Sequence, residues 1–79
     1  MAYQAGKQAR EVKARRQRIY DFICASWQEN GYAPSQKEIA DAVELGTTAV
    51  NRHLQVLRAR GCIDWEPDTP RTIRITGEC

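Results

Sequence analysis

Residues 36–60 constrain the fold more than any other stretch of this chain, because they contain two short amphipathic helices with almost no room between them. In residues 36–43 and 47–60, apolar side chains recur three or four positions apart: Ile39, Ala40 and Val43, then Val50, Leu54 and Leu57. Only residues 44–46, Glu-Leu-Gly, are left for the turn. Two helices joined so tightly are typical of a helix-turn-helix, in which the second helix enters the DNA major groove.

The ends of both helices carry capping signals. Ser35 precedes the first helix and Glu38 stands three residues later, as a capping box requires. Thr47 is the expected N-cap of the second helix, which runs to about Arg60. Gly61 follows, and glycine readily adopts the left-handed conformation that ends many helices.

A longer amphipathic helix precedes this pair. Its apolar residues recur at spacings of three and four: Ile19, Phe22, Ile23, Cys24 and Trp27. The pattern predicts a helix from about Arg10 to Glu29, ended by Asn30-Gly31. Residues 1–9 show no periodicity, so we expect them to be loose.

Two short alternating segments follow the helices. Residues 62–66 and 72–75 alternate apolar and polar side chains, and the proline-containing segment 67–70 supplies a turn. In a suitable register one face would carry four apolar side chains: Ile63, Trp65, Ile73 and Ile75. A two-stranded ribbon is marginally stable alone, so it must pack on the helices. The sequence therefore predicts a mainly α fold with a small β-ribbon, a three-helix winged helix-turn-helix over residues 14–76.

Charge is distributed unevenly along the chain. The 79 residues carry a net charge of +2, yet residues 1–18 hold six basic side chains against Glu11 alone, a local charge of +5. Residues 19–79 carry −3. We assign residues 1–13 to a basic, flexible N-terminal arm, which either contacts phosphates or is simply a solvated leader. No apolar run suits a membrane span or a signal peptide, so we expect a cytoplasmic protein.

The polar side of helix 47–60 carries candidate DNA-reading groups. If the apolar ridge faces inward, the outward side holds Thr48, Asn51, Arg52 and Gln55. The amide of Asn51 matches the edge of adenine, and the guanidinium of Arg52 matches the edge of guanine. The short side chains of Thr48 and Ala49 allow close approach and contact with a thymine methyl group. The alternative is that these residues simply form a solvated polar face.

Phosphate contacts are expected around the same helix. Free backbone amides at its N-terminus, next to Gly46 and Thr47, could hold one phosphate, and a cap at Thr47 is compatible with that contact. Arg71 and Arg74 lie on the ribbon, where positive charge suits the minor groove or its flanking phosphates. The full set of predicted backbone-contacting residues is Gly46, Thr47, Gln55, Arg71, Arg74 and Lys37.

The sequence indicates no catalytic or metal site. His53 is the only histidine, and we expect it to pack at the edge of the core. The three cysteines lack metal-binding spacing; we expect Cys24 and Cys62 to be buried, reduced thiols and Cys79 to be exposed. Four aromatic side chains are expected to pack in the core: Tyr20, Phe22, Trp27 and Trp65. We predict no enzyme activity, no cofactor and no small-molecule substrate.

The chain contains six short segments in a specific order and spacing: 16–23 (RQRIYDFI), 30–35 (NGYAPS), 38–40 (EIA), 53–57 (HLQVL), 60–63 (RGCI) and 71–74 (RTIR). Together they resemble the N-terminal DNA-binding domain of LexA-type repressors over about residues 15–75. The resemblance implies a winged helix-turn-helix that recognises an operator. Carried over by position, the base-reading residues would be Thr48, Ala49, Asn51 and Arg52. Phosphate contacts would come from Gly46-Thr47 and from the wing near Arg71.

Two features depart from the family pattern. The turn is one residue shorter than usual, and Glu44 stands where a glycine is common. Because a Cβ disfavours the left-handed region, we expect a differently built turn or a longer first helix of the pair. The family's self-cleaving, dimerising domain has no counterpart after the ribbon, where neither its cleavage site nor its Ser-Lys pair occurs. The chain is therefore either a fragment or a stand-alone regulator.

We predict a sequence-specific regulator of transcription, a repressor in particular, that binds double-stranded DNA as a homodimer on a palindromic site. Helix 47–60 would read the major groove, and a wing near 66–72 would contact the flanking backbone or minor groove. Such a protein would be bacterial and nucleoid-associated, or encoded by a phage. Two alternatives stay open: a winged-helix adaptor or antirepressor that binds protein, and a binder of RNA or of nucleic-acid structure.

Overall fold

The structure, a computed structural model, describes the backbone of residues 2–78 and the side chains of residues 11–78. Three helices are followed by one antiparallel pair of strands: α1 (Ala2–Asn30), α2 (Gln36–Val43), α3 (Thr47–Ala59), β1 (Ile63–Asp64) and β2 (Arg74–Ile75). This order confirms the predicted winged helix-turn-helix. Within the described chain, no helix has both the length and the apolar character needed to cross a bilayer.

The first helix is longer than the sequence predicted. α1 begins at Ala2 rather than near Arg10, so the predicted start of this helix is wrong. The first helical residues are mostly Ala, Gln and Lys, which favour a helix without forming an apolar stripe. The predicted boundary between arm and domain, after residue 13, therefore lies inside a continuous helix. α1 ends as predicted, where Gly31 adopts φ +76° and its N–H donates to the carbonyl of Trp27 at 3.0 Å.

The second helix has the predicted bounds and the predicted capping box. The hydroxyl of Ser35 accepts a hydrogen bond from the Glu38 N–H at 3.1 Å, and the Glu38 carboxylate accepts from the Ser35 N–H at 2.9 Å. These bonds satisfy backbone donors that have no partner in the first turn of a helix. The helix buries the predicted stripe, Ile39, Ala40 and Val43.

The turn after α2 contains a strained residue. Glu44 adopts φ 58° and ψ 42°, in the left-handed region, so the expectation of a differently built turn or a longer helix is wrong. The conformation lets the N–H of Leu45 donate to the carbonyl of Ala40 at 3.0 Å, which closes the end of α2. Helix closure outweighs the cost of placing a Cβ in this region, and the residues after Glu44 can then turn directly into α3.

The N-cap of α3 is Gly46 rather than Thr47. Gly46 has extended backbone angles and its carbonyl accepts from the N–H of Val50 at 3.1 Å, so Thr47 is already helical. The prediction of a Thr47 cap is wrong because the turn ends one residue earlier than expected. No side chain caps this helix. Its C-terminus follows the prediction, since Gly61 adopts φ +79° directly after the C-cap, Arg60.

The ribbon pairs Ile63 with Ile75 and Asp64 with Arg74. Three of the four predicted apolar residues are buried: Ile63, Trp65 and Ile73. Ile75 is 37% exposed, so the expectation of one fully buried face is wrong at that position.

The core lies between the three helices and is closed by the ribbon, with β1 against α3 and β2 against α1. Its buried apolar residues are Ile19, Tyr20, Ile23, Ala33, Ile39, Ala40, Val43, Val50, Leu54, Leu57, Cys62, Ile63, Trp65 and Ile73. Phe22 is half-buried against them. Trp27 does not join this core as predicted: it is 39% exposed, and its indole N–H donates to the carbonyl of Ile73 at 3.0 Å, which holds the ring at the rim.

The cysteines agree only in part with the sequence prediction. Cys24 is free and half-buried rather than fully buried. Cys62 is buried, but it is disulfide-bonded, so the prediction of a reduced thiol is wrong. Disulfide formation depends on the approach of two cysteines in space, which cysteine spacing does not reveal. Cys79 lies outside the described residues.

Candidate nucleic-acid interface

The apolar ridge of α3 faces the protein interior. Val50 and Leu54 are fully buried and Leu57 is nearly so, within a core shared with α1 and α2. Because these residues recur every three or four positions, the opposite side of α3 must face solvent. That exposed side carries Thr48, Arg52 and Gln55. α3 therefore presents its polar face outward, as major-groove reading requires.

The four predicted base-reading residues differ in exposure. Thr48 and Arg52 are exposed, whereas Ala49 and Asn51 are half-buried and lie at the edge of the exposed face. Arg52 forms no ion pair or hydrogen bond with any other described residue, so its guanidinium is available to a ligand. A free guanidinium presents a planar fork of donors that matches two acceptors on one guanine.

Backbone donors are exposed at the start of α3. The first hydrogen bond within the helix comes from Val50, which leaves the N–H groups of Thr47, Thr48 and Ala49 without a partner in the helix. Gly46 and Thr47 are exposed, and no side chain forms a capping hydrogen bond at this end. Free amides and the positive end of the helix dipole together suit a phosphate.

Arg71, one of the two predicted wing cations, is held against the start of α2. Its Nη1 lies 2.7 Å from Oε1 of Glu38 and donates to the carbonyl of Ala33 at 3.2 Å. Its guanidinium also stacks over Tyr32, 5.2 Å from the ring centre. Arg71 adopts φ +60°, which turns the chain back toward α2. The wing is thus anchored to the helix-turn-helix by the residue expected to contact DNA.

Glu38 has two roles in this anchor. The hydrogen bond from the Ser35 backbone, followed by the one from Arg71, lowers the pKa of the Glu38 carboxyl below its ordinary value. Glu38 is therefore ionised at neutral pH, and it caps α2 while it neutralises Arg71. Sequence reasoning found the cap, because a capping box is local. It missed the ion pair, because the two residues are far apart in the chain.

Arg74 is exposed, as predicted, but it is also paired. Its Nη2 lies 3.2 Å from Oδ2 of Asp64, its partner across the ribbon. The other oxygen of Asp64 lies 3.0 Å from Nε of Arg58, whose guanidinium stacks 4.8 Å from the ring centre of Trp65. Arg58 also contributes to the wing, and no local pattern in the sequence indicates this role. One carboxylate thus serves two arginines at the exposed side of the wing.

The predicted backbone-contacting residues therefore fall into two groups. The side chains of Lys37 and Gln55 are exposed and unpaired among the described residues, and Gly46 and Thr47 are exposed as well. Arg71 and Arg74 are held in ion pairs within the protein. A phosphate would meet the first group directly, whereas it would have to compete with a carboxylate for the second.

His53 lies at the edge of the core, half-buried on α3, which confirms its predicted position. Burial lowers the pKa of its imidazole, and the positive charges of Arg16 and Arg15 lower it further. Both arginines belong to α1, so the basic part of α1 runs alongside α3. Sequence reasoning treated that basic segment as a separate arm and did not connect it with the DNA-reading helix.

Comparison with known proteins places this fold and polar helix in a family. The model of the LexA DNA binding domain matches residues 9–72. The LexA repressors of Bacillus thuringiensis (strain Al Hakam) and Bacillus anthracis are each 46% identical to the chain over 69 residues, or 86% of its length. The LexA repressor of Staphylococcus epidermidis is 41% identical over 70 residues.

The matches extend over most of this chain but only part of the relatives. Each alignment includes 34% of the repressor's length, so the chain spans about a third of the curated relatives that it matches. The matched region includes most of α1, all of α2 and α3, and the strand β1, and it ends just before β2. The resemblance found in the sequence is confirmed, and the chain belongs to the LexA DNA-binding domain family.

Proposed function

We propose that this chain binds a specific double-stranded DNA site and represses transcription from it. The observation that carries the proposal is the orientation of α3, whose apolar ridge is buried while Arg52 stays exposed and unpaired. A helix with this orientation can enter the major groove without unfolding any part of the core. The relatives named LexA repressor support the same function.

The proposed base-reading residues are Thr48, Ala49, Asn51 and Arg52. Arg52 would donate to O6 and N7 of guanine, and Asn51 would pair with N6 and N7 of adenine. Thr48 and Ala49, in the first turn of α3, are small enough to let the helix lie deep in the groove. Each bidentate contact contributes about 1–3 kcal/mol of discrimination against a wrong base.

The proposed backbone contacts surround this helix. The free amides beside Gly46 and Thr47 would hold one phosphate at the start of α3, and Gln55 and Lys37 would contact phosphates from exposed positions on α3 and α2. Arg71 and Arg74 would join them only when their present carboxylate partners are displaced. We therefore expect the wing to contribute less to affinity than its arginine content alone indicates.

A homodimer on a palindromic site is the proposed assembly. One small DNA-binding module buries about 600–1,000 Å² of protein surface, which limits the affinity of a single copy. Two copies related by a two-fold axis would read two half-sites and add their contacts. We place such a regulator in the cytoplasm, on bacterial or phage DNA.

One observation favours a second function, that of an adaptor or antirepressor that binds protein instead of DNA. The three arginines at the wing, Arg58, Arg71 and Arg74, all have carboxylate partners. Together with the −3 charge of residues 19–79, this pairing reduces the positive potential of the wing side of the molecule.

The test is a fluorescence anisotropy titration with a duplex selected from a random pool and with a scrambled duplex, each at two salt concentrations. Wild-type protein should prefer the selected duplex and bind more weakly as salt rises. Arg52→Ala should reduce that preference.

Arg52→Lys is the matched control, because it keeps the charge but loses the planar fork. It should bind scrambled DNA as the wild type does and still lose discrimination. Salt-independent binding or no binding to any duplex would favour the adaptor function. Stronger binding to single strands or RNA would contradict duplex recognition.

A further inference from the structure

Three basic side chains meet at a cavity between α1 and the end of α3. The cavity measures about 160 Å³ and is lined by Lys13, Arg16, Gln17, Leu57 and Arg60. It lies toward the C-terminus of α3, whereas the proposed base-reading residues occupy the N-terminal half of that helix. It is therefore distinct from the interface described above.

Helical spacing explains why these residues meet. Lys13, Arg16 and Gln17 are three and four positions apart, so they share one face of α1. Leu57 and Arg60 are three positions apart at the end of α3. Packing of α1 against α3, with Leu57 buried between them, brings the two faces together. The convergence of charge is thus built into the packing of the two helices.

No acidic side chain in the described part of the chain neutralises the three charges at this cavity. Among the described residues, Lys13, Arg16 and Arg60 form no ion pair, and no acidic side chain lines the cavity. The side chain of Gln17, which also lines the cavity, donates a hydrogen bond to the carboxylate of Asp21 at 2.9 Å. This cluster differs from the wing, where every arginine has an acidic partner.

One atom of the cluster lacks a partner inside the protein. Nε of Arg16 is buried and has no hydrogen-bond acceptor. Every other buried side-chain nitrogen or oxygen in the described part of the chain has a hydrogen-bond partner. Buried donors are nearly always paired, and a charged donor without an acceptor is especially unfavourable. An acceptor that enters the cavity would relieve this cost once a small movement of the Arg16 side chain exposes Nε to it.

The surroundings of His53 support a positive potential at this site. Arg16 and Arg15 lower the pKa of the His53 imidazole, in addition to the effect of burial. His53 lies one turn before Leu57 on α3, so the positive charges of Arg15 and Arg16 on α1 raise the electrostatic potential along the side of α3 that faces α1. The field at the cavity therefore favours an anion.

We propose that this cavity is an oxyanion site that takes one phosphate group. The guanidinium of Arg16 would donate through Nε and a terminal nitrogen, which is the bidentate geometry that arginine offers to phosphate. Lys13 and Arg60 would supply charge from the two sides. The phosphate comes either from the DNA backbone, in which case the inference rests on the proposed function, or from free inorganic phosphate, in which case it does not.

The direct test observes the Nε–H of Arg16 in nitrogen-proton correlation spectra of the full chain. Inorganic phosphate and a duplex DNA are titrated separately at constant ionic strength, with chloride as the matched anion. We expect the Arg16 signal to shift and saturate while that of Arg18, on the far side of α1, does not. A shift with DNA alone identifies a backbone phosphate, and a shift with inorganic phosphate identifies a free anion. If neither probe shifts the Arg16 signal selectively, the proposal is overturned.

A pair of charge-matched variants provides the second test. Arg16→Gln and Arg18→Gln remove the same charge from neighbouring positions, but only the first lines the cavity. If the site holds a DNA phosphate, Arg16→Gln should reduce the slope of log K against log salt by about 0.9 and weaken binding about eight-fold at 0.1 M salt. Arg18→Gln should leave the slope unchanged.

Equal slopes for the two variants would exclude the DNA source. Absence of DNA binding by the wild type would contradict the proposed function, whereas the titration with inorganic phosphate would still test the cavity. The spectra use the wild-type chain, so they remain decisive even if a variant fails to fold.

Discussion

Glu44 provides a sharp test of whether the turn before α3 stores backbone strain. The residue adopts φ 58° and ψ 42°, and a side chain with a Cβ costs roughly 1–2 kcal/mol in this region. Its side chain is exposed and forms no ion pair or hydrogen bond with another described residue, so nothing on the side chain offsets the cost. Glu44→Gly removes the Cβ and should therefore stabilise the fold.

The expected gain is smaller than the strain itself. Glycine has more conformational freedom than glutamate in the unfolded chain, and this stabilises the unfolded state by roughly 0.4–1 kcal/mol. The free energy of unfolding should therefore rise by about 0.5–1 kcal/mol. For a domain of this size, such a change corresponds to an increase in Tm of roughly 2–8 °C.

Urea unfolding followed by far-ultraviolet circular dichroism measures this difference. Glu44→Ala is the matched control, because it removes the same carboxylate but keeps the Cβ, and it should be no more stable than the wild type. If Glu44→Gly gains nothing over Glu44→Ala, the reasoning from strain is refuted.

Ser35→Ala breaks one bond of the capping box and should lower the free energy of unfolding by about 1 kcal/mol in the same assay, and an unchanged value would contradict the cap. Glu38→Gln should release Arg71 and steepen the slope of log K against log salt by about 0.9 in anisotropy titrations, whereas an unchanged slope would place Arg71 away from phosphates. The pKa of the Glu38 carboxyl is lowered in the fold, so the contribution of its ion pair should be present above the ordinary value of 4.5 and be lost as pH falls through the lowered value. A carbon-detected titration checks this, and a carboxyl pKa at or above 4.5 would contradict it. The pKa of His53 is lowered from 6.5, so stability should decrease as pH falls below 6.5, because the unfolded chain binds the proton first. Proton spectra of the His53 ring measure that pKa directly, and a value of 6.5 or higher would disprove the prediction.

Local signals in the sequence predicted most of the fold. Ser35 and Glu38 marked the start of α2 because a capping box acts within one turn of helix. Gly31 and Gly61 marked helix ends because glycine adopts positive φ at little cost. Where local preferences were weak, prediction failed: α1 begins before its apolar stripe does, and Thr47 lost the N-cap position to Gly46.

The candidate interface was predictable to the same extent. The inward ridge of α3 follows from a repeat of three and four residues, so the outward position of Arg52 could be deduced from the sequence. The partners of the wing arginines could not, because Arg71 meets Glu38 and Arg58 meets Asp64 only after α2, α3 and the ribbon have packed.

Local sequence patterns therefore predicted α2, most of α3, the end of α1 and the side of α3 that faces solvent, since each depends on residues within a few positions of one another. Which charges are neutralised and which are not follows from the packing of the helices and the ribbon. Ion pairing depends on distances between residues far apart in the chain, because the interaction energy between two charges in water is small unless they are close together. That is why Arg71 is held by a carboxylate while Arg16, with the same side chain, lies at a cavity that no described carboxylate lines.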